Sequence, residues 1–170
     1  MIVLMITLAV CYGFSVKEER LVIEEEVSKI MDKPLLMGGD FNGITRIEES
    51  TGISRENLIW QWLSEKEDQG KLVDCVRLGF KAPPPFTRVR RYSATQSYLD
   101  KWHASWALMV LTHISRAWLA PLKWQSGENV SDHDRVGITL GKWNIGKVEV
   151  DKGCKGWGKK QIKEFKLLMS

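Results

Sequence analysis

Apolar and amphipathic segments alternate along the first half of the chain, and this alternation limits the possible folds more than any other feature. Residues 2–11 form an apolar run typical of a buried strand. Ser15 and Glu18 have the spacing of a capping box, which predicts a helix after that strand. A second apolar run, Leu35–Met37, precedes another helical pattern over about residues 54–68. The order strand, helix, strand, helix and then several strands predicts a mixed α/β sandwich.

The second half of the chain is rich in residues that favour strands. We expect a strand at residues 71–78 and a hairpin over residues 86–102, with a polar tip. Residues 104–122 fit either a helix or a strand followed by a loop. The polar residues 125–134 predict a loop, and residues 135–140 predict a final strand.

Positive charge is concentrated at the C-terminal end of the sequence. The 170 residues carry a formal net charge of +4, and residues 141–170 hold eight Lys against three acidic residues. The basic balance therefore says little about the partners of the rest of the chain. We expect one domain over residues 1–140 and a Lys- and Gly-rich basic tail over residues 141–170, outside that domain.

The cysteines and the apolar start exclude several classes of protein. Cys11, Cys75 and Cys154 are widely spaced and lack the Cys/His spacing of a structural zinc site. Cys11 and Cys75 lie in apolar runs, as small core residues of a reducing compartment do. The apolar start lacks a positively charged segment and is too short to span a membrane. We expect an intracellular protein without a membrane partner, and a further coding segment before its first strand.

The segment Leu35–Gly43, LLMGGDFNG, ends an apolar run with two glycines, an acid and an amide. Such a sequence is common at an ordinary strand end, because glycine allows positive φ and Asp bonds its own backbone. Alternatively, residues two apart on a strand point the same way, so Asp40 and Asn42 would face one pocket. Taken alone, the segment favours the first interpretation.

Further short motifs follow in a fixed order, and together they carry a resemblance. After G-D-F-N come L-V-D with Arg77, F-T, S-x-L-D ending at Asp100, and S-D-H with Asp132 and His133. This set resembles the exonuclease–endonuclease–phosphatase superfamily, and most closely the endonuclease domains of LINE-type retrotransposons. Each motif alone is weak, but five of them in the order of the family are specific.

The resemblance implies a fold and a cofactor. It covers residues 1–140 and corresponds to the second half of the family's four-layer α/β/β/α sandwich, so we expect a partial sandwich. The family uses a divalent metal, usually magnesium, so Mg (or Mn) is the expected cofactor. Asp132 would lie near that metal or near the leaving oxygen. The metal-binding Glu that the family supplies from its first half has no counterpart in this sequence.

The resemblance also implies a role for each motif residue. Asp40 would orient and activate the attacking water, and Asn42 would bind the scissile phosphate. His133, in its charged form, would bond a phosphate oxygen, and Asp100 would hold its imidazole. Tyr12, at the end of the first strand, matches the tyrosine that the family directs at the phosphate.

The predicted hairpin carries the candidate substrate-binding residues Arg90, Arg91 and Tyr92. In LINE-type endonucleases the corresponding hairpin reaches toward the DNA near the cut. Two arginines and one aromatic residue would then meet a groove of the DNA. Alternatively, the arginines form a solvated strand edge, since charges also protect such edges.

Three functions stay open at this point. The first is a metal-dependent DNA endonuclease of the retrotransposon type, truncated and impaired in this chain. It would have DNA as its partner, a larger polyprotein with a reverse transcriptase as its context, and the nucleus as a candidate location. The second is a phosphatase or phosphoesterase of the same superfamily acting on a small molecule or a lipid head group. The third is a non-catalytic remnant of the fold.

Overall fold

Two β-sheets and a set of short helices make up the described part of the protein. The computed structural model describes residues 4–13, 17–51, 59–80, 85–89, 95–123, 129–142 and 148–150. The strands are β1 (Leu4–Tyr12), β2 (Leu35–Asp40), β3 (Leu72–Asp74), β4 (Arg88–Val89), β5 (Gln96–Ser97), β6 (Asp100–Ser105), β7 (Thr112–Lys123), β8 (Asn129–Lys142) and β9 (Val148–Val150). The helices are α1 (Lys17–Ser28), α2 (Gln61–Asp68), α3 (Cys75–Phe80) and α4 (Trp106–Met109), with a 3-10 turn at Ile47–Glu49.

The larger sheet has five strands in the order β3-β6-β2-β1-β9. Strands β1 and β2 are parallel and are connected through helix α1, whereas β6 runs antiparallel to both β2 and β3. The second sheet has four strands in the order β5-β4-β8-β7, and its longest ladder joins β7 to β8. The two sheets confirm the predicted α/β sandwich.

Strand β2 is buried on both faces, as its continuous apolar run predicts. Leu36 belongs to a cluster that includes Ile6 of the large sheet and Ile138 of the small sheet. Leu35 and Met37 belong to a second cluster that contains side chains of helices α1 and α2. Successive residues of a strand face opposite sides. One face of the large sheet therefore packs against the second sheet and the other against helices.

The segment predicted as a strand at residues 71–78 changes structure after three strand residues. Asp74 ends β3, and its Oδ1 accepts hydrogen bonds from the backbone N–H groups of Val76 and Arg77, both at 3.0 Å. These bonds satisfy two free N–H groups of the first helical turn. Helix α3 therefore begins directly after Asp74, and the prediction of a strand over the whole segment was wrong.

Two other predictions differ in detail. Residues 104–122 contain both candidate structures, since helix α4 is followed by the long strand β7. The predicted loop at residues 125–134 is partly strand, because β8 begins at Asn129 and already includes Asp132 and His133. The helix expected at about residues 54–68 is observed as α2, and residues 52–58 lie outside the described part.

The expected boundary at residue 141 does not coincide with the end of the sheets. Strand β8 runs to Lys142, and β9 pairs in parallel with Leu4, Met5 and Ile6 of β1. Residues 151–170 lie outside the described part, so the basic tail stays a prediction for them. In the portion of the chain that is described, no helix is long and apolar enough to cross a membrane.

Candidate active site

Three neighbouring strands bring polar residues to the same end of the large sheet. In the ladder between β1 and β2, Tyr12 is the partner of Asp40. In the ladder between β2 and β6, Asp40 is the partner of Asp100. The three residues therefore form one row across the sheet. Tyr12 is 69% exposed, so its side chain is accessible at this edge.

The two glycines before Asp40 are required by their neighbours. A Cβ at Gly38 would clash with the ring of Trp102, and one at Gly39 would clash with the carbonyl oxygen of Cys11. Gly39 also has φ of 147°, a backbone conformation that residues with a Cβ atom rarely adopt. The glycine pair therefore lets β1, β2 and β6 approach closely just before the row of polar residues.

His133 joins this row from the second sheet. Its Nδ1 lies 2.8 Å from Oδ2 of Asp100. Because a carboxylate only accepts hydrogen bonds, Nδ1 carries the proton and Nε2 is the nitrogen left for a substrate. The hydrogen bond to Asp100 raises the pKa of His133 above its ordinary value. The pair therefore favours the imidazolium form.

Asn42 lies just beyond the end of β2, in a left-handed conformation with φ of 45°. Its backbone N–H donates to Oδ1 of Asp40 at 2.8 Å, and its side-chain Nδ2 donates to the carbonyl of Gly13 at 2.9 Å. Asp40 thus bonds its own backbone, as the simpler interpretation of this segment predicted. The strand alternation that was expected to align Asp40 and Asn42 does not apply, because the strand ends at Asp40.

Asp132 forms an ion pair with Arg88. Its Oδ2 accepts a hydrogen bond from Nε of Arg88 at 2.9 Å, and this bond lowers the pKa of Asp132. Arg88 is also the partner of His133 in the ladder between β4 and β8. The role of Asp132 as a metal ligand stays a prediction.

Thr87 is a fully buried residue beside the site, and no role was predicted for it. Its Oγ1 accepts the backbone N–H groups of Leu99 and Asp100, both at 3.0 Å. Its carbonyl accepts the N–H of Asp134 at 2.7 Å. Thr87 therefore connects the segments that carry Asp100 and His133. The F-T motif was the only signal in the sequence that pointed to it.

Asp40, Asp100 and His133 could hold a metal ion together, since their ligand atoms all lie within 4.8 Å of one another. With His133 charged, two carboxylates surround one cation, so the group has a net negative charge. Burial raises the pKa of Asp40 and outweighs the opposing hydrogen bond from Asn42, while the nearby Asp100 adds to the rise. A carboxylate with a raised pKa is a better proton acceptor.

Comparisons with known proteins identify the fold that carries this geometry. No family model matches the sequence, and no curated protein matches it. An AP endonuclease from Archaeoglobus fulgidus superposes with a TM-score of 0.59 at 14% identity, over 82% of this chain and 62% of the archaeal chain. The APE2 catalytic domain from Xenopus laevis superposes with a TM-score of 0.54 at 16% identity, over 77% of this chain and 45% of that chain.

The chain has an AP-endonuclease-type fold. It spans 62% of the length of the archaeal protein. The likeness confirms the predicted fold class, a partial α/β sandwich. At these identities it shows the fold alone, so the roles of the site residues stay predictions.

A second group of possible metal ligands in this AP-endonuclease-type fold is buried beside charged residues. Glu67, Asp74 and His103 lie close together, and the side chain of His103 is fully buried. Nε2 of His103 lies 2.8 Å from Glu67. The buried Lys101 and the half-buried Arg77 both pair with Glu49, and Nε of Arg77 also lies 3.8 Å from Asp74. Among the described residues, Nδ1 of His103, Oδ2 of Asp74 and Nε of Arg77 are buried and have no hydrogen-bond partner.

The structure does not describe every residue that the sequence proposed for the site. Arg90, Arg91 and Tyr92 lie outside the described residues, and so does the tip of the hairpin. The base of that hairpin is described, since Arg88 of β4 pairs with Ser97 of β5. The assignment of the three residues to substrate binding therefore stays a prediction.

Proposed function

We propose that this chain hydrolyses phosphodiester bonds in DNA with the help of a divalent cation. The observation that carries the proposal is the convergence of Asp40, Asp100 and His133 at one end of an AP-endonuclease-type fold. A base, a charged imidazole and paired carboxylates are the groups that phosphoryl transfer to water requires.

Asp40 is the proposed general base. Its carboxylate would take a proton from the attacking water while the oxygen of that water forms a bond to phosphorus. Its position close to Asp100 and His133 supports this role, because a base must lie within reach of the water that it deprotonates. A carboxylate has about four acceptor positions, so the hydrogen bond from Asn42 leaves room for the water.

His133 is the proposed donor to the phosphate. Charge accumulates on the phosphate oxygens in the transition state, and an imidazolium stabilises it from a fixed position. Asp100 would hold the ring, as their 2.8 Å contact supports. Asn42 would donate to the phosphate through the side-chain N–H that does not bond the Gly13 carbonyl. Tyr12 would contact the phosphate from the end of β1, where its side chain is exposed.

A magnesium or manganese ion fits the donors of this site. Asp40 and Asp100 offer the hard oxygen ligands that magnesium prefers, and magnesium keeps several waters, so two protein carboxylates are sufficient for a site. The imidazole of His133 is engaged by Asp100 and is a less suitable ligand. Asp132 would become a ligand if Arg88 released it. Once bound, the ion would neutralise charge on the phosphate oxygens.

The finer assignment, to LINE-type retrotransposon endonucleases, rests on the order of the sequence motifs. It implies a DNA partner read by Arg90, Arg91 and Tyr92, a reverse transcriptase in the same polyprotein, and a nuclear location. A reverse transcriptase reading frame beside the gene would support this assignment. A neighbourhood of unrelated metabolic genes would contradict it.

Nicking of supercoiled plasmid DNA in magnesium tests the proposal. We expect conversion of the plasmid to the open-circular form, inhibition by EDTA, and a rate about 10²–10⁴-fold lower for Asp40→Asn, as loss of a general base predicts. Asp32→Asn is the matched control, because Asp32 is exposed on the loop before β2. Equal rates for Asp40→Asn and the control would contradict the proposal.

The alternative functions predict different outcomes with the same protein. A superfamily phosphatase would release inorganic phosphate from soluble phosphomonoesters and leave the plasmid intact. A non-catalytic remnant would act on neither substrate. Either result would overturn the assignment of DNA as the substrate.

A further inference from the structure

Arg20 is a buried cation that none of the steps above uses. It lies on helix α1 and is only 2% exposed. Its Nη2 donates to the carbonyl oxygen of Asn42 at 3.1 Å, and its Nη1 donates to the carbonyl of Ile59 at 3.4 Å. The guanidinium carbon lies 5.3 Å from the centre of the Trp60 ring. A buried charge with these partners holds two backbone segments at fixed positions.

Asn42 is the residue whose position depends on this arrangement. Its backbone N–H is held by Asp40 and its side-chain amide by Gly13, both at the ends of strands in the large sheet. Its carbonyl oxygen is held from the opposite layer, by Arg20 of the helix. A left-handed conformation is uncommon for a residue other than glycine, and surrounding contacts must maintain it.

We propose that Arg20 is a positioning residue that fixes Asn42 for contact with the substrate phosphate. The inference rests on the proposed function, because it assigns the phosphate contact to Asn42. Arg20 does not touch the reacting atoms. It acts by holding the Asn42 carbonyl, and with it the peptide plane and the side-chain amide.

The chemistry of this contact calls for arginine rather than lysine. The guanidinium is planar and presents its N–H groups in a rigid fork, so it can reach two carbonyls from different segments while stacking on an indole ring. An ammonium group is a compact point charge and cannot reproduce both contacts with the same geometry. Arg20→Lys therefore keeps the charge and removes the fork.

A double-mutant cycle with Asn42 separates positioning from a general loss of structure. We expect Arg20→Met to lower kcat for plasmid nicking by about tenfold in the wild-type background, since small displacements of a substrate contact are costly. In the Asn42→Ala background the same substitution should change kcat less than about twofold, because its target is already missing. Equal effects in both backgrounds would overturn the inference.

Two further variants complete this cycle. Arg46→Met is the matched control, because Arg46 pairs with Asp68 at the surface, and its rate should equal that of the wild type. If Arg20→Met does not fold, Arg20→Lys replaces it with the same expected pattern. The fold is monitored by NMR through the indole N–H of Trp102, which donates to the Val136 carbonyl at 3.1 Å and does not contact Arg20.

A second readout distinguishes failure of this inference from failure of the proposed function. The side-chain amide of Asn42 gives a pair of ¹H–¹⁵N signals, identified by their loss in Asn42→Ala. We expect these signals to shift or broaden in Arg20→Lys and to stay unchanged in Arg46→Met, even if the protein nicks no DNA. An unmoved Asn42 signal in Arg20→Lys would overturn the positioning role, whatever the activity.

Discussion

At the scale of single residues, the electrostatics of the site concentrate on His133. Its Nδ1 contacts Asp100 at 2.8 Å, and the charges of Asp40 and Asp132 also act on its ring. All three carboxylates favour the charged form of the imidazole, and they outweigh its partial burial. The raised pKa keeps the proposed phosphate donor protonated at a pH at which a free histidine would be mostly neutral.

The protonation of His133 predicts the direction in which activity changes with pH. If the imidazolium is the active form, activity is present below the raised pKa and is lost as the pH rises through it. In Asp100→Asn the neutral amide removes the main cause of the shift, so the alkaline limb of kcat/KM should move to lower pH. The same variant should lower the pKa of His133 in an NMR titration.

The control for this prediction is Asp68→Asn, which removes an exposed acid that pairs with Arg46. Its alkaline limb should coincide with that of the wild type. The same pKa shift affects stability. The stability that the charged His133 contributes is fully present below the ordinary histidine pKa of 6.5. It is lost as the pH rises through the raised pKa of His133. An unchanged His133 titration in Asp100→Asn would show that the pair does not set this pKa.

The sequence pointed to these residues for two different reasons. The motif order pointed to Tyr12, Asp40, Asp100 and His133, and strand register and the Asp100–His133 contact place these residues at one end of the large sheet. The alternation rule failed for Asn42, since a residue past the strand end follows turn geometry instead. Arg20 and Thr87 act through backbone groups distant in sequence, and no local pattern reveals such contacts.

At the scale of secondary-structure elements, buried charge stabilises the connection between the 3-10 turn and the large sheet. Glu49 is 1% exposed at its side chain and accepts hydrogen bonds from Nζ of Lys101 at 2.7 Å and from the N–H of Thr45 at 2.7 Å. Arg77 of helix α3 contacts the other oxygen of the same carboxylate. Glu49 therefore connects the 3-10 turn to helix α3 and to strand β6.

Removing this charge should destabilise the fold strongly. Glu49→Gln keeps the shape of the side chain but leaves Lys101 buried without its counter-charge. We expect the free energy of unfolding in urea to fall by about 3–5 kcal/mol, the usual cost of breaking a buried ion pair. Glu48→Gln, at the exposed neighbouring residue, should change it by less than about 0.5 kcal/mol. Similar losses in the two variants would contradict a structural role for this network.

The errors of the sequence prediction at this scale have two causes, a local helix cap and long-range strand pairing. β-prone residues continue past Asp74, yet the carboxylate caps a helix there, and capping outweighs strand propensity. The polar residues Ser131, Asp132, His133 and Asp134 predict a loop, yet they lie in β8, where pairing with β4 and β7 supplies the order. Long-range pairing of this kind is not visible in a local window.

At the scale of the whole molecule, alternating apolar runs were sufficient to predict the α/β class, because each element must bury one face or both. They could not predict that β9 would join the edge of the large sheet beside β1. The architecture has one functional consequence. The ends of β1, β2 and β6 and the adjacent part of β8 form a single negatively charged site, which we propose to be the cation-dependent hydrolytic centre.

The three histidines of the chain allow this claim to be measured directly. His133 belongs to the proposed site, His103 is buried beside Glu67, and His113 is exposed on β7. Paramagnetic manganese broadens the NMR signals of nuclei near the place where it binds. A manganese titration, followed through the three imidazole signals, should broaden His133 at the lowest concentration, and Asp40→Asn should abolish that preference. Earlier broadening of His103, or equal broadening of all three, would contradict the assignment of the site.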